Sequence, residues 1–309
     1  MAQTPDIFGG GWTRDKLRIL KDYLSAYTTV LKNKPFTLVY IDAFAGSGRF
    51  SLRHQAEPSG PDLFDETVGQ DPAGVASTRQ EVSIHGEDSE FLEFLDGSTE
   101  IAAGIVDRPF DELVFIEKDR ARCDQLASQF DESRITIHNS EANTFLQNLG
   151  WDWASHRGVL FLDPFGTQVE MRTLRRIASM EALDTWILFP VGTIARLLPR
   201  KLEANPSAAP YAERLMSVFG DDSWKNLYRR SDQSSLFGPE EYIREKGHSQ
   251  IFELYMEKLE QIFGNRLLGR TRPLKNSRNS TIFEFIFCAG NPSGIGPAHR
   301  IAGHIIKHA

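Results

Sequence analysis

The sequence is poor in cysteine, in long apolar runs and in net positive charge, and each shortage narrows what the chain can be. Its two cysteines, Cys123 and Cys288, lie too far apart in sequence to suggest a disulfide framework or a metal-ligand pair. A reducing, cytoplasmic setting without a bound metal is expected. No apolar stretch approaches the ~20 residues needed to span a bilayer, and MAQTPDIFGGGWTRDKL has no basic segment followed by an apolar one. These absences predict a soluble chain with no membrane association and no secretory signal. The phosphate-loop pattern Gly-x-x-x-x-Gly-Lys-Ser/Thr is missing, and the glycines at Gly46 and Gly48 have no third partner near Leu52 to complete Gly-x-Gly-x-x-Gly. A nucleoside triphosphate loop and a dinucleotide fingerprint are both unsupported.

What is present is an ordinary globular composition, with 309 residues, 40% hydrophobic and 25% charged, enough for one large α/β domain or two smaller ones. The formal net charge of -7 argues against non-specific nucleic-acid binding over the whole surface. The charge is unevenly placed: residues 1–163 hold 27 acidic against 15 basic side chains, whereas 164–309 hold 15 against 20, giving -12 and +5. Arg266, Arg270, Arg272, Lys275 and Arg278 crowd one short stretch of the second part. They read either as a solvated turn between strands or as a phosphate-contacting patch.

Leu17, Leu20, Leu24, Tyr27 and Leu31 recur at helical spacing, with Thr13 as the expected N-cap and Pro35 closing the segment. Residues 36–41 then predict a buried strand that runs directly into Asp42-Ala43-Phe44-Ala45-Gly46-Ser47-Gly48. From about 50 to 86 the periodicity dissolves into Pro, Gly, Asp, Gln and Ser, which reads as a flap over the ligand edge or as disorder. Ser98 is the expected cap of a helix to Gly104. Strands are predicted at 113–116, 135–137, 159–162 and 185–190, alternating with helices at 122–130, 142–149 and 173–180. Short continuous apolar strands interleaved with helices imply a parallel sheet covered on both faces. Residues 191–264 read as a helical insertion or subdomain, and 265–309 as two final strands and a helix that complete the core begun in 1–190.

Glycines after a first strand remove the Cβ atoms that would keep a ligand off the backbone. In this loop Asp42 is positioned to accept from the ammonium of a methionine moiety, with Phe44 beside it and Gly46 and Gly48 passing against the carboxylate and sulfonium side. A structural turn with a capping aspartate is the plain alternative. Glu117 ends the second predicted strand, where a carboxylate can take both ribose hydroxyls of an adenosine and Lys118 follows it, although a charge at a helix start looks the same. Glu141, with Asn143 nearby, can accept from an adenine amino group or simply cap a helix. Asp163-Pro164-Phe165-Gly166 closes the fourth strand at the sheet's carboxyl edge. There the Asp163 carboxylate and Pro164 carbonyl can hold the hydrogens of an amine while Phe165 stacks on a planar ring.

The stretches Tyr40 to Arg49, Phe115 to Asp119 and Phe161 to Gly166 resemble the cofactor and substrate motifs of class I methyltransferases. Over nearly the whole chain, Phe8-Gly9-Gly10, Trp12-Thr13, Lys16-Leu17, Tyr23-Leu24, Gly97-Ser98 and Leu188-Phe189-Pro190 look like the three-Cys-motif partner protein family. That family is named for cysteines in a neighbouring radical-SAM protein and has no established substrate. The resemblance implies a Rossmann-like class I methyltransferase fold, a mostly parallel seven-stranded sheet with a terminal antiparallel hairpin, and S-adenosyl-L-methionine as cofactor. Asp163-Pro164-Phe165-Gly166 is also similar to the active-site motif of tRNA guanine-N2 dimethyltransferases, and more distantly to the Asp-Pro-Pro-aromatic motif of adenine-N6 and cytosine-N4 enzymes. Two departures stand out: Glu141 sits where an aspartate is usual, and the 50–86 insertion separates the glycine loop from the helix that normally abuts it.

The resulting expectation is N-methylation of an exocyclic amine on a nucleobase of RNA or DNA, with tRNA foremost. Arg270, Arg272 and Lys275 would touch phosphates. The rivals are a non-catalytic scaffold serving a three-Cys-motif radical-SAM partner, and methylation of a small molecule or a protein.

Overall fold

The computed structural model describes residues 11–48, 50–52, 93–95, 97–198, 201–203, 211–230, 241–244, 247–276 and 278–309. In chain order, α1 (Gly11–Leu31) leads into β1 (Thr37–Asp42), and β2 (Phe50–Leu52) pairs antiparallel with β3 (Glu93–Leu95). Then come α2 (Ser98–Ala103), β4 (Glu112–Glu117), α3 (Arg120–Ala127), β5 (Ile135–Asn139), α4 (Ala142–Gln147), β6 (His156–Leu162), α5 (Met171–Met180) and β7 (Leu183–Phe189). Beyond Pro190 lie α6 (Val191–Leu197), β8 (Lys201–Glu203), α7 (Ala212–Phe219), β9 (Tyr228–Arg230), β10 (Glu241–Arg244) and α8 (His248–Phe263). The described chain closes with β11 (Arg272–Lys275), β12 (Thr281–Cys288) and α9 (Ile295–His308).

Seven strands form one sheet in the order β11-β12-β7-β6-β1-β4-β5, in which β12 runs antiparallel to both of its neighbours and the pairs from β7 to β5 are parallel. This is the Rossmann-like class I methyltransferase fold, with its terminal antiparallel hairpin. Side chains alternate between faces along each strand. Leu38 and Tyr40 of β1 join Phe161 and Trp186 in the layer beneath α1 and α9, while Val39 and Ile41 join Leu160, Ile187 and the residues of α5 and α8 on the other side. With both faces covered, every strand position favours an apolar residue, which is why the strands read as continuous runs. Because β1 sits in the middle of the sheet, its carboxyl end opens between β4 and β6.

Several local expectations are corrected. Thr13 is not an N-cap but lies inside α1, two residues past its start and buried. Ser98 is the first residue of α2 behind Gly97, which frees its hydroxyl to reach Asp42. The 191–264 segment, read as a run of helices, also carries an antiparallel three-stranded sheet in the order β8-β10-β9. Strands of three or four residues are too short to establish a period of two. The 50–86 flap lies outside the described residues except for β2. Among the described residues no helix is long and apolar enough to cross a membrane, and no group of His, Cys, Asp and Glu is arranged to hold a metal.

Candidate functional site

The carboxyl ends of β1, β4, β5 and β6 converge on one edge of the sheet. The chain leaving β1 turns sharply at Gly46 and Gly48, whose φ angles of 61° and 96° lie in the left-handed region open to glycine. A Cβ on Gly48 would meet Gln129 Oε1 at 2.6 Å, so Gln129 packs against the loop there, and its Nε2 donates to the Ser47 carbonyl. Over Gly46 a Cβ would meet nothing within 4 Å. This is the open side of the loop.

Glu117, only 7% exposed, ends β4 and faces that loop. Its Oε2 accepts from the Gly46 amide at 2.9 Å and its Oε1 from the Asp119 amide at 2.7 Å. Each oxygen keeps a second lone pair for a ligand hydroxyl. Asp42 is placed differently from the expectation. It is fully buried beneath the loop, where Oδ1 accepts from the Phe44 amide at 3.1 Å and Oδ2 from the Tyr40 hydroxyl at 3.3 Å. Burial pushes its carboxyl up to about 6; bonds from Ser98, Phe44 and Tyr40 lower it, and the nearby Asp163 charge raises it further. Asp42 is thus out of direct reach of the cavity, and its oxygens are spent on holding the loop.

A cavity of about 330 Å³ opens beside the loop, walled by Phe44, Glu117, Lys118, Arg122, Glu141 and Phe165. Glu141 is the N-cap of α4: Oε1 accepts from the Asn143 amide at 3.0 Å and Oε2 from the Thr144 amide at 2.8 Å. Partial burial raises its carboxyl, but those two amides and the Thr144 and Asn143 side chains outweigh it, and the net shift is downward. Capping and lining the cavity thus coexist in one residue. Asn143 does not face the cavity. Its Nδ2 donates to Glu141 and to the Gln168 carbonyl at 2.7 Å, and its Oδ1 accepts from the Glu170 amide and the Thr173 hydroxyl, so the side chain braces α4 against α5.

The four residues after β6 divide. Phe165 is 54% exposed at the mouth of the cavity, with the Arg122 guanidinium 5.1 Å from its ring centre and its amide donating to Gln168 Oε1 at 3.0 Å. Gly166 lines a wider groove of about 1030 Å³ that shares Lys118, Glu141 and Phe165 with the cavity and runs out past Leu197 and Arg214. Pro164 is buried. Asp163 is turned to α1, where its Oδ2 is ion-paired with Lys16. That contact joins residues 147 apart. The local pattern does carry one signal for it: Lys16 stands four residues before Leu20 and seven before Tyr23, a cation on the apolar stripe of a helix.

The basic stretch is dispersed. Arg266 is 8% exposed, and it donates to the carbonyls of Ala178 at 2.9 Å, Gly290 at 2.8 Å and Phe263 at 3.3 Å. It is a structural brace, not a phosphate ligand. Arg272 pairs with Asp15 at 3.4 Å, whereas Arg270, Lys275 and Arg278 are exposed. β11 stands three strands from β6, roughly 14 Å at the usual strand spacing, and none of these basic residues walls the cavity. A separate cavity of about 470 Å³, lined by Tyr23, Tyr27, Phe36, Arg157, Asp184 and Ile301, lies at the opposite, amino edge of the sheet, away from the glycine loop.

No family model matches the sequence, and no curated protein matches it. Solved structures with a similar chain path include an S-adenosylmethionine dependent methyltransferase from Mesorhizobium loti, 9% identical, covering 84% of this chain and 94% of that one, TM-score 0.34. Another is Trm1 from Pyrococcus horikoshii in complex with S-adenosyl-L-methionine, 11% identical, covering 96% and 73%, TM-score 0.33. A third, a protein from Legionella pneumophila, is 14% identical over 89% and 97%, TM-score 0.37. Likeness at this level carries no conclusion about ligand or substrate; the fold stands on the strand order of the chain itself.

Proposed function

We propose that the protein is an S-adenosylmethionine-dependent N-methyltransferase whose acceptor is the exocyclic amine of a nucleobase in RNA or DNA. The observation that carries this reading is the convergence, at one sheet edge, of the open Gly46 backbone, the Glu117 carboxylate bonded to it and the mouth at Phe165. The residues present suit the cofactor. Glu117 has lone pairs for the ribose hydroxyls, Phe44 and Glu141 wall a space for the adenine, and the buried Asp42 carboxylate favours a cation above it. When bound, the cofactor supplies an activated methyl group.

The chain's own work is positioning. Phe165 offers its ring to a planar base, and Asp163 is the acceptor for the amine hydrogens, aligning the nitrogen's lone pair with the methyl. A base within a duplex would have to leave the stack to reach Phe165. Binding of S-adenosylmethionine or S-adenosylhomocysteine by calorimetry, lost in Asp42→Ala and Glu117→Ala, is the first test. Methyl transfer to tRNA that vanishes in Asp163→Ala while cofactor binding survives is the second, and retained transfer refutes the role of Asp163.

One observation favours the rival scaffold reading, in which the chain serves a three-Cys-motif radical-SAM partner: Asp163 is already engaged by Lys16. Well-folded protein that binds neither cofactor form would support it.

A further inference from the structure

We propose that Lys16 sets the charge selectivity of the methyl-transfer end of the site: on Asp163 its ammonium fills the position an incoming amine nitrogen would take, and it cancels that carboxylate's pull on a cationic ligand. The inference rests on the cofactor reading above. The Lys16 side chain is 5% exposed, buried on the face of α1 that packs on the sheet, and Asp163 is 20% exposed. Its ammonium lies 5.5 Å from the Trp12 ring centre and 6.0 Å from that of Phe161, so aromatic faces and a carboxylate surround it much as they would a bound amine.

The carboxylate offsets the cost of burying the ammonium. Next to the pair, one strand away, lies Asp42, whose ionisation Asp163 opposes. Lys16 is paired with Asp163, whereas Asp42 is held by the Phe44 amide, the Tyr40 hydroxyl and Ser98. Removing the ammonium would leave the Asp163 carboxylate uncompensated beside Asp42, and in a partly buried site such a change is felt strongly. The Lys16 side chain, with its flexible four-carbon stem, can be displaced from Asp163 by a substrate amine without moving α1.

The test uses three probes on the full chain. S-adenosylhomocysteine is neutral at sulfur, S-adenosylmethionine carries a sulfonium, and sinefungin carries an amine where the methyl sits. In Lys16→Met the affinity for sinefungin relative to S-adenosylhomocysteine should rise roughly tenfold, with S-adenosylmethionine shifting the same way. Lys16→Arg should keep the wild-type ratio. Asp163→Asn provides the reciprocal variant should Lys16→Met fail to fold, and there the ratio should fall. Ratios unchanged in both Lys16→Met and Asp163→Asn, with S-adenosylhomocysteine still bound, overturn the role of Lys16 and leave the cofactor reading intact. Failure of the wild type to bind any of the three overturns the cofactor reading itself.

Discussion

The Glu117 carboxylate at the end of β4 accepts from the Gly46 amide at 2.9 Å, so the residue expected to grip a ribose also holds the glycine loop in place. Its second oxygen fixes the Asp119 amide at 2.7 Å, and Asp119 in turn caps α3 through the Arg122 amide at 2.9 Å. Glu117→Ala would leave the buried Gly46 amide and the partly buried Asp119 amide without that acceptor, at a cost of about 1–3 kcal/mol. Chemical denaturation should show that loss, and calorimetry should show at least a tenfold weaker S-adenosylhomocysteine complex. Unchanged stability with lost binding would mean that Glu117 contacts only the ligand.

Asp42 carries a pH signature. Its ordinary value of 3.8 is raised to about 6 in the folded protein by burial. The protonated form is thus the better folded one: its contribution is complete below pH 3.8 and is lost as pH rises through 6. The difference corresponds to the order of 3 kcal/mol. Measured against Asp42→Asn, wild-type stability should fall between pH 4 and 7; a constant gap between the two proteins would sink the assignment. A cation bound above Asp42 stabilises its ionised form, so S-adenosylmethionine should bind more tightly as pH rises across 6, and Asp42→Asn should lose that component.

Arg266 and its exposed neighbours should separate cleanly. Arg266→Met strips a buried cation from three carbonyl acceptors and should cost about 2–4 kcal/mol. The double change Arg270→Ala with Lys275→Ala should alter stability by less than about 0.5 kcal/mol. If these two side chains touch phosphates, the same pair should reduce the salt dependence of tRNA binding by a slope of about 1–2. A wild-type response already flat to salt removes the phosphate contact.

Gly290 offers a test of the hairpin's seat on the sheet. A Cβ there would stand 2.5 Å from the Leu183 backbone at the start of β7, and the Gly290 amide donates to Asp184 Oδ1 at 2.6 Å. Gly290→Ala should lower stability by about 3 kcal/mol, as overpacking against a rigid backbone does. The folded fraction should still bind cofactor normally. A neutral effect in a melting curve would contradict the close approach.

By itself the sequence determined the parallel sheet covered on both faces, its helix alternation and the glycine turn at Gly46 and Gly48, while the seven-stranded class I arrangement was implied by motif resemblance. Burial on both faces of a strand, helical periodicity and the demand for a left-handed backbone each act over a few residues and leave their mark in composition. The same reasoning overlooked β8 to β10, too short to show a period, offered Asn143 to a ligand and left Arg266 open between a solvated turn and a phosphate patch, when both spend their polar atoms bracing the fold. Only the tertiary structure decided which polar groups meet: Lys16 with Asp163, Ser98 with Asp42, Gln129 with the loop. A buried charge must find a partner, but the partner comes from whatever distant segment the packing brings near, and short-range pattern holds no record of that choice.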